Sequence, residues 1–336
     1  MNPLEDAVDS LARSTGFSGV VRVDRSGTLA FAEAYGLADR GHDIPNTIDT
    51  QFAIASGVKG LTALTVGSLI EEGSLDLDTT ARSVLGADLP LIDDRVTIEQ
   101  LLAHRSGIGD YLDEDEAGEI TDHAMPGSMH EFETTEQYLA VLDGHPTAFP
   151  PGERFAYCNG GFVVLALIAE RTSGTSFHEL VCQRVCEPAG MSDTEFLRSD
   201  ELPGRAAIGY LGPESPRTNV FHLPVRGNGD GGIYSTVADI GSLWSALFAG
   251  RIVSKALVTE MVRPRSDAPE HAKRYGLGFW LDASSDAVML EGYDAGVSFR
   301  SAHDPASTTT YTVISNTSDG AWPIVELLDE RVIASA

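Results

Sequence analysis

Segments with strand-like side-chain patterns stand near both ends of this chain, and helical patterns fill the middle. This order restricts the possible folds more than any other feature of the sequence. Near the N-terminus, residues 18–24 and 28–36 are rich in β-forming side chains and flank the turn-like Arg25-Ser26-Gly27, which predicts a hairpin. Three further strand-like segments lie near the C-terminus, at residues 275–282, 297–304 and 308–316.

The region between these strands has the signals of helices. Leu61, Leu64, Leu69 and Ile70 predict an apolar stripe on one helix, and Gly73 stands where that helix should end. A capping-box pattern begins at Thr97, ahead of another short helix. Further helices are predicted at residues 160–172, 176–186 and 236–248.

The order of strands, helices and strands predicts an α+β fold. In this prediction an antiparallel sheet is built from the N- and C-terminal segments and flanked by helices, and a mostly helical lobe is inserted. We assign residues 1–78 and 205–336 to the sheet lobe and residues 79–204 to the helical lobe. The active site is then expected between the two lobes.

Charge and composition exclude several classes of partner. The chain carries 23 Lys and Arg against 50 Asp and Glu, a formal net charge of −27. Nucleic acid is therefore not expected as a partner, since its binding depends on neutralising phosphates with Lys and Arg. The longest apolar run, residues 162–169, is too short to span a membrane, so no membrane insertion is expected.

The cysteines and the first residues of the chain predict the compartment. Acidic residues stand in the first segment, where a signal peptide would carry positive charge, and no apolar stretch follows them. The odd number of cysteines (Cys158, Cys182 and Cys186) is typical of reduced thiols. Both features predict a cytoplasmic protein, although a leader removed beforehand stays an open alternative.

Patterns that would indicate a metal or a cofactor are weak in this sequence. The acidic stretch Asp110 to Glu119 lacks EF-hand spacing, so we predict a solvated loop rather than a calcium site. Cys182 and Cys186 have no second ligand pair and are expected to pack in the core. Residues 227–232 match G-x-G-x-x-G, but no clear strand precedes them, so a dinucleotide site is not expected. We therefore predict no cofactor and no metal.

The strongest candidate for chemistry is Ser56-Gly57-Val58-Lys59, which follows a short strand-like segment and begins the helix of Leu61. Lys59 would then lie one turn after Ser56, on the same face. A desolvated lysine can take the proton of a serine hydroxyl, and the helix N-terminus favours a developing alkoxide. Many serines in this pattern are only helix caps, and that alternative stays open here.

A second candidate is Tyr157-Cys158-Asn159, between the turn-like residues 150–153 and the helix that is predicted from Gly160. A phenol near a cation can relay a proton, and a carboxamide can hold a substrate amide or the lysine. Taken alone, this pattern also fits a buried tyrosine beside a turn asparagine.

With S-x-x-K about 100 residues before Y-x-N, the chain resembles the serine β-lactamase and penicillin-binding-protein superfamily. It looks most similar to class C β-lactamases, D,D-carboxypeptidases and related esterases. The resemblance implies a β-lactamase/transpeptidase-like fold, in agreement with the predicted architecture. It extends over ordered blocks at residues 16–39, 52–59, 69–78, 101–108, 151–161, 187–196, 231–240 and 275–280.

The resemblance implies a role for each candidate residue. Ser56 would be the acylated nucleophile, and its backbone N–H would form half of an oxyanion hole. Lys59 and Tyr157 would share general acid and base catalysis as a coupled pair. Asn159 would orient the substrate.

The third motif of the superfamily, K-T-G or H-x-G near the C-terminus, is not recognisable. The matching region is Leu290 to Gly296, which has no Lys or His at the expected place and carries Glu291 and Asp294 instead. A missing cation disfavours substrates with a carboxylate, although Arg300 or Lys273 could replace it from elsewhere. We expect substrate binding, including the second oxyanion N–H, at Asp294, Ala295 and Gly296.

The sequence therefore predicts a serine acyl hydrolase that acts through a covalent acyl-enzyme. Its expected activity is that of an esterase, an amidase or a weak β-lactamase, on a small ester, amide or lactam. A penicillin-binding or sensor-type module that binds a ligand, or is acylated by it without turnover, is the alternative, because the third motif is altered. A nucleotide-dependent oxidoreductase would depend on residues 227–232 alone.

Overall fold

The computed structural model describes residues 3–112, 120–122 and 127–333. Its strands are β1 (Gly19–Arg25), β2 (Thr28–Tyr35), β3 (Leu37–Asp39), β4 (Ile44–Pro45), β5 (Phe52–Ala53), β6 (Tyr234–Ser235), β7 (Ser266–Ala268), β8 (Lys273–Tyr275), β9 (Trp280–Asp282), β10 (Val288–Asp294), β11 (Val297–Asp304) and β12 (Thr309–Ser315). Its α-helices are α1 (Pro3–Thr15), α2 (Val58–Glu71), α3 (Ala81–Leu85), α4 (Ile98–Leu102), α5 (Leu139–Leu142), α6 (Asn159–Ser173), α7 (Phe177–Val181), α8 (Glu187–Ala189), α9 (Val237–Ala249), α10 (Lys255–Met261) and α11 (Trp322–Leu328).

Eight of these strands form one antiparallel sheet in the order β2-β1-β12-β11-β10-β9-β8-β7. The first and last parts of the chain meet where β1 pairs with β12, with Val21 opposite Val313. Alternate side chains of β1 enter different cores, since Val20 packs with α2 and α9, and Val21 packs with α1 and α11. The α+β prediction, with the sheet built from both ends of the chain and flanked by helices, is confirmed.

Several local predictions are also confirmed. The hairpin of β1 and β2 turns at Ser26 and Gly27, both with positive φ. Thr97 makes the predicted capping box with Gln100, and Thr236 caps α9. Gly73 follows the end of α2 with φ at 81°.

The prediction that Cys182 and Cys186 pack in the core holds for Cys186 only, because Cys182 is exposed. Two predictions about helices and strands were also wrong. Helix α2 does not present a single apolar stripe, because 11 of its 14 residues are buried and it is enclosed on all sides. The strand that was predicted at residues 275–282 is interrupted between β8 and β9 by a turn, closed by a 2.9 Å hydrogen bond from the N–H of Gly276 to the carbonyl of Phe279. Gly278 has φ at 83° in that turn, a conformation that disfavours an uninterrupted strand.

Other predictions lie partly outside the described residues or stay predictions. Residues 113–119 of the acidic stretch are not described, and the lobe boundaries at 78/79 and 204/205 stay a prediction. No helix among the described residues is long and apolar enough to cross a membrane. Within the same ranges, no group of three or more His, Cys, Asp or Glu side chains could hold a metal ion.

Candidate active site

Ser56 lies on a one-turn 3-10 helix, Ala55–Gly57, between β5 and α2. Ala55 has φ at 44°, which is uncommon for a residue with a Cβ and indicates a tightly constrained turn. The turn leaves Ser56 partly exposed to a cleft while its neighbours Ala55 and Gly57 are buried. Because α2 begins directly after this turn, its N-terminal dipole favours negative charge near Ser56.

Lys59 is buried beside Ser56, with only 2% of its surface exposed. Its Nζ lies 2.8 Å from Ser56 Oγ, 2.8 Å from Asn159 Oδ1 and 2.7 Å from the backbone carbonyl of Asp230. An ammonium group has three N–H donors, and this geometry gives each of them an acceptor. The structure thus brings Asn159 to Ser56 and Lys59, although Asn159 lies 100 residues after Lys59 in the sequence.

Tyr157 completes the predicted group. The Lys59 Nζ lies 4.9 Å from the centre of the Tyr157 ring, within the range of a cation–π contact. On another side, the ring stacks on Trp280 with a centroid distance of 5.9 Å and an interplanar angle of 9°. Tyr157 lines the same part of the cleft as Ser56. The phenol ring therefore contacts the lysine and also lines the cleft.

Asn159 is the first residue of α6 and uses its side chain within the protein. Its Oδ1 accepts from Lys59, and its Nδ2 donates to the carbonyl of Leu112 at 3.1 Å. Its backbone N–H donates to Asp110 Oδ2 at 2.5 Å, and the N–H of Gly160 donates to Asp110 Oδ1 at 2.8 Å. Asp110 thus caps α6 from another part of the chain, and Asn159 is fixed where it contacts the lysine.

A buried acidic network behind Lys59 was not predicted from the sequence. Tyr111 donates its hydroxyl to Asp230 Oδ2 at 2.5 Å. Burial raises the pKa of Asp230, and the nearby charge of Lys59 opposes that rise. Burial also raises the pKa of Asp110 to about 6, against the effect of the N–H groups of Gly160 and Asn159. One signal was available, because Asp110 and Tyr111 follow the block at residues 101–108 after a single glycine, Gly109.

The G-x-G-x-x-G segment at residues 227–232 lies at the site because its backbone packs closely against α2 and α6. The carbonyl of Gly229 accepts a 2.7 Å hydrogen bond from Thr62 Oγ1 on α2. A Cβ on Gly229 would lie 2.3 Å from the carbonyl oxygen of Phe162 on α6. The glycine lets this backbone pass against both helices, and the adjacent Asp230 then offers its carbonyl to Lys59.

Strand β10 runs beside the Ser56 turn and carries the region that matches the third motif. A Cβ on Gly292 would lie 2.1 Å from the carbonyl oxygen of Ile54, so only glycine allows this approach. Leu290, two residues earlier, is buried, and its side chain lies where a Cβ on Gly60 of α2 would stand. An apolar side chain therefore occupies the position from which a cation was expected.

The two cations that could have replaced it are already paired. Glu291 forms ion pairs with Lys273, at 2.7 Å, and with Arg300. Arg300 also lies 3.3 Å from Asp329. The positive charges of Lys273 and Arg300 lower the pKa of Glu291, against the effect of burial. Neither cation is offered alone to a substrate carboxylate.

The β10–β11 turn holds the three residues that were predicted to bind substrate. Asp294 lines the cleft together with Ser56. The N–H of Ala295 donates to Asp294 Oδ1 at 2.9 Å, and the N–H of Gly296 donates to Ser318 Oγ at 2.9 Å. Both N–H groups thus have an acceptor within the protein, Asp294 for Ala295 and Ser318 for Gly296. The expectation that one of them is the second oxyanion donor stays a prediction, which these hydrogen bonds disfavour.

Ser56 lies between two parts of the cleft that differ in character. One part is mostly apolar and includes Tyr111, Tyr138, Leu197, Leu223 and Val225. The other is more polar and lies beside Tyr157, with Trp280, His271, Glu270 and Glu291. Ser56 and Tyr293 line both parts, so a bond held at Ser56 would have one group on each side.

Comparison with known proteins gives a consistent result. A sequence model described as Beta-lactamase matches residues 4–333 of the chain. A crystal structure of a penicillin binding protein from Bacillus halodurans is similar, with 33% identity and a TM-score of 0.90, over 96% of this chain and 99% of that one. Esterase EstB of Burkholderia gladioli is 33% identical over 215 residues, which are 62% of this chain and 54% of the esterase.

A D-aminopeptidase of Brucella anthropi is 28% identical over 270 residues, which are 79% of this chain and 49% of that protein. The chain therefore spans about half the length of the matched esterase and aminopeptidase. The crystal structure from Bacillus halodurans is matched almost from end to end.

Proposed function

Because the chain belongs to the beta-lactamase family, we propose that it is a serine hydrolase that cleaves small amides or esters through an acyl-enzyme at Ser56. The observation that carries this proposal is the 2.8 Å contact between Lys59 Nζ and Ser56 Oγ at the rim of a cleft. A buried lysine beside a serine hydroxyl, at a helix N-terminus, is an arrangement that activates a nucleophile. The names of the relatives, an esterase and a D-aminopeptidase, support ester and amide substrates.

In the first half of the reaction, Ser56 Oγ attacks the substrate carbonyl carbon and its proton passes to the Lys59–Tyr157 pair. The C–N or C–O bond of the substrate then breaks, and the same pair returns the proton to the leaving group. A neutral lysine with a phenol holds the same number of protons as an ammonium with a phenolate. The two groups therefore act as one coupled base.

In the second half, a water molecule attacks the acyl carbon of the Ser56 ester. The coupled pair takes a proton from that water and returns it to Ser56 Oγ as the ester bond breaks. The acid product leaves and the serine hydroxyl is restored. Asn159 keeps Lys59 in place throughout, through the contact of its Oδ1 with Nζ at 2.8 Å.

For the oxyanion hole we propose the backbone N–H groups of Ser56 and Tyr293. Asp294 and Val297 pair across a two-residue turn. In such a pair, the N–H of each residue donates to the carbonyl of the other. Because successive residues of a strand alternate, the N–H of Tyr293 points away from β11. The Ser56 turn lies against this part of β10, since a Cβ on Gly292 would lie 2.1 Å from the carbonyl oxygen of Ile54. In this proposal, Tyr293 takes the place of the predicted donors Ala295 and Gly296.

The charges in the cleft support substrates without a carboxylate next to the scissile bond. Leu290 offers no charge, and the carboxylates of Glu291 and Asp329 pair with Lys273 and Arg300. Asp294 adds a carboxylate to the lining of the cleft near Ser56. We propose amides and esters of amino acids with a free amine, since an ammonium group would be attracted to Asp294. The apolar part of the cleft would take the side chain of such a substrate.

The first test is hydrolysis of p-nitrophenyl acetate, nitrocefin and amino-acid p-nitroanilides by the wild type and by Ser56→Ala. Ser199→Ala is the matched control, because Ser199 lines the same cleft away from Lys59. We expect Ser56→Ala to lose at least about a thousandfold in kcat, and Ser199→Ala to stay near the wild type. Intact mass spectrometry should show an acyl adduct on the wild type and none on Ser56→Ala.

Equal activity of Ser56→Ala and the wild type would contradict the proposal. An adduct on Ser56 without further turnover would instead support the sensor-type alternative, which the uncharged Leu290 position favours. A rate on nitrocefin that exceeds those on the esters and anilides would contradict the proposed substrate class alone.

A further inference from the structure

His104 belongs to the block at residues 101–108 and has no role in the chemistry described so far. It is buried, with 1% of its surface exposed. Its backbone has φ at 53°, in the left-handed region that residues with a Cβ rarely adopt. A buried histidine in an unfavourable backbone conformation needs a compensating function in the structure around it.

His104 accepts hydrogen bonds from the two residues on either side of Tyr157 in the sequence. The N–H of Ala156 donates to the carbonyl of His104 at 2.9 Å. The N–H of Cys158 donates to His104 Nδ1 at 3.1 Å. One residue thus fixes the backbone directly before and directly after Tyr157. Because Nδ1 accepts, the proton of the neutral imidazole is on Nε2.

The imidazole also packs on the phenol ring. The ring centroids of His104 and Tyr157 are 4.3 Å apart, with an interplanar angle of 35°. Trp280 stacks on Tyr157 as well, and the Lys59 Nζ lies 4.9 Å from its centre. These contacts limit the positions that the phenol can take. Removal of the imidazole would leave a cavity at one side of the Tyr157 ring.

The surroundings keep the imidazole neutral. Burial lowers the pKa of His104 well below its ordinary value, and the charge of Lys59 lowers it further. The other rings that contact it are those of Phe155, Phe162 and Tyr275, which offer no negative charge. Protonation would remove the acceptor at Nδ1 and place a second cation near Lys59.

We propose that His104 is a positioning residue that holds Tyr157 at the distance from Lys59 and Ser56 required for proton transfer. This inference rests on the proposed acyl transfer at Ser56 for its effect on rate. It gives a function to the block at residues 101–108, whose backbone also receives the N–H groups of Ala148 and Gly152. The strained backbone at His104 then serves the active site, because it aims both the carbonyl and the imidazole at the segment of Tyr157.

The test compares His104→Ala, His104→Asn and Phe155→Leu in the full chain. Asparagine can place a carbonyl oxygen near the position of Nδ1 and tolerates the left-handed backbone, but it lacks the ring. Phe155 contacts His104 and Trp280, so Phe155→Leu disturbs the same aromatic cluster but removes no atom of the two hydrogen bonds to His104. The readouts are kcat, KM and the 19F resonance of Tyr157 in fluorotyrosine-labelled protein. The resonance is assigned from its absence in Tyr157→Phe.

We expect His104→Ala to lower kcat by about 10- to 100-fold, with KM changed less than about threefold, and to shift or broaden the Tyr157 resonance. His104→Asn should recover part of both readouts, and Phe155→Leu should leave both near the wild type.

An unchanged resonance and kcat in His104→Ala would overturn the inference, as would an equal effect of Phe155→Leu. If His104→Ala does not fold, the same comparison is made with His104→Asn, for which an unchanged resonance and kcat overturn it. If the wild type shows no turnover that depends on Ser56, only the proposed function is contradicted. The 19F resonance would still test the position of Tyr157, because it does not depend on catalysis.

Discussion

Asp110 illustrates how one side chain links the acidic stretch to the proposed chemistry. A solvated position was predicted for the whole stretch, yet the carboxylate of Asp110 turns inward and accepts the N–H groups of Asn159 and Gly160. These bonds anchor the start of α6, and Asn159 contacts Lys59 from there. Burial nevertheless outweighs the hydrogen bonds and raises the pKa of Asp110 to about 6, from 3.8.

This pKa predicts a stability effect with a defined sign. Because the folded value lies above the unfolded value, the folded state binds the proton more tightly between about pH 4 and pH 6. Ionised Asp110 therefore costs stability as the pH rises through this window, and the cost is complete above about pH 6. Two pKa units correspond to about 3 kcal/mol. We expect the wild type to be less stable at pH 7 than at pH 4 when each is compared with Asp110→Asn. The free energy of unfolding of the wild type, relative to that of Asp110→Asn, should be about 2–3 kcal/mol smaller at pH 7.

Urea unfolding at both pH values measures this difference. Asp143→Asn is the control, since Asp143 is exposed and accepts the N–H of the adjacent Gly144. Its stability relative to the wild type should change little between the two pH values. A relative stability of Asp110→Asn that is independent of pH would contradict the assigned burial of the Asp110 charge.

At the scale of elements, the contact between β10 and the Ser56 turn sets the proposed oxyanion hole. We expect Gly292→Ala to separate them, because its Cβ would lie 2.1 Å from the carbonyl oxygen of Ile54. The variant should lose about 100-fold or more in kcat, since one oxyanion donor contributes about that much. It should also lose about 1–3 kcal/mol of stability from overpacking.

Gly204→Ala is the matched control, because a Cβ at Gly204 would meet no atom within 4 Å. Steady-state kinetics and thermal unfolding of both variants give the comparison. Full activity of Gly292→Ala would mean that the N–H of Tyr293 does not serve the reaction. Loss of stability without loss of kcat would lead to the same conclusion.

Elements with a local cause could be predicted from the sequence. The hairpin turn at Ser26 and Gly27 and the caps at Thr97 and Thr236 depend on residues close in the chain, and each is present. The enclosure of α2 could not be predicted in this way, because it depends on which distant elements cover its polar face. Thr62 and Thr65 appear polar in the sequence, yet both are buried and donate to carbonyl groups.

The candidate site shows the same division. Ser56, Lys59, Tyr157 and Asn159 could be selected because their spacing resembles a known superfamily, and the structure brings them together. The roles of His104 and Asp230 could not be predicted, since their contacts join residues that are 54 and 171 positions apart in the sequence. The ion pairs of Glu291 also depend on the folded sheet, because β8, β10 and β11 bring Lys273, Glu291 and Arg300 together.

At the scale of the whole molecule, the net charge is −27, and we expect it to create a negative potential that extends over the cleft. Added salt screens this potential, because the Debye length falls from about 30 Å at 0.01 M to about 10 Å at 0.1 M. A substrate that carries a free ammonium group should therefore be hydrolysed with a kcat/KM that falls several-fold over this range. The kcat/KM for p-nitrophenyl acetate, which is neutral, should stay nearly constant.

Asp294→Asn separates the local carboxylate from the field of the whole molecule. If the net charge of the whole molecule attracts the substrate, Asp294→Asn keeps most of the salt dependence. Its affinity for the substrate then falls by the same factor at every salt concentration. If Asp294 alone binds the ammonium group, the variant loses both together, since a single carboxylate in the cleft would then be the source of the attraction. Kinetics of an amino-acid p-nitroanilide at several salt concentrations distinguish these outcomes. A rate for the cationic substrate that rises with salt would contradict both, and with them the proposal that the acidic cleft selects amines.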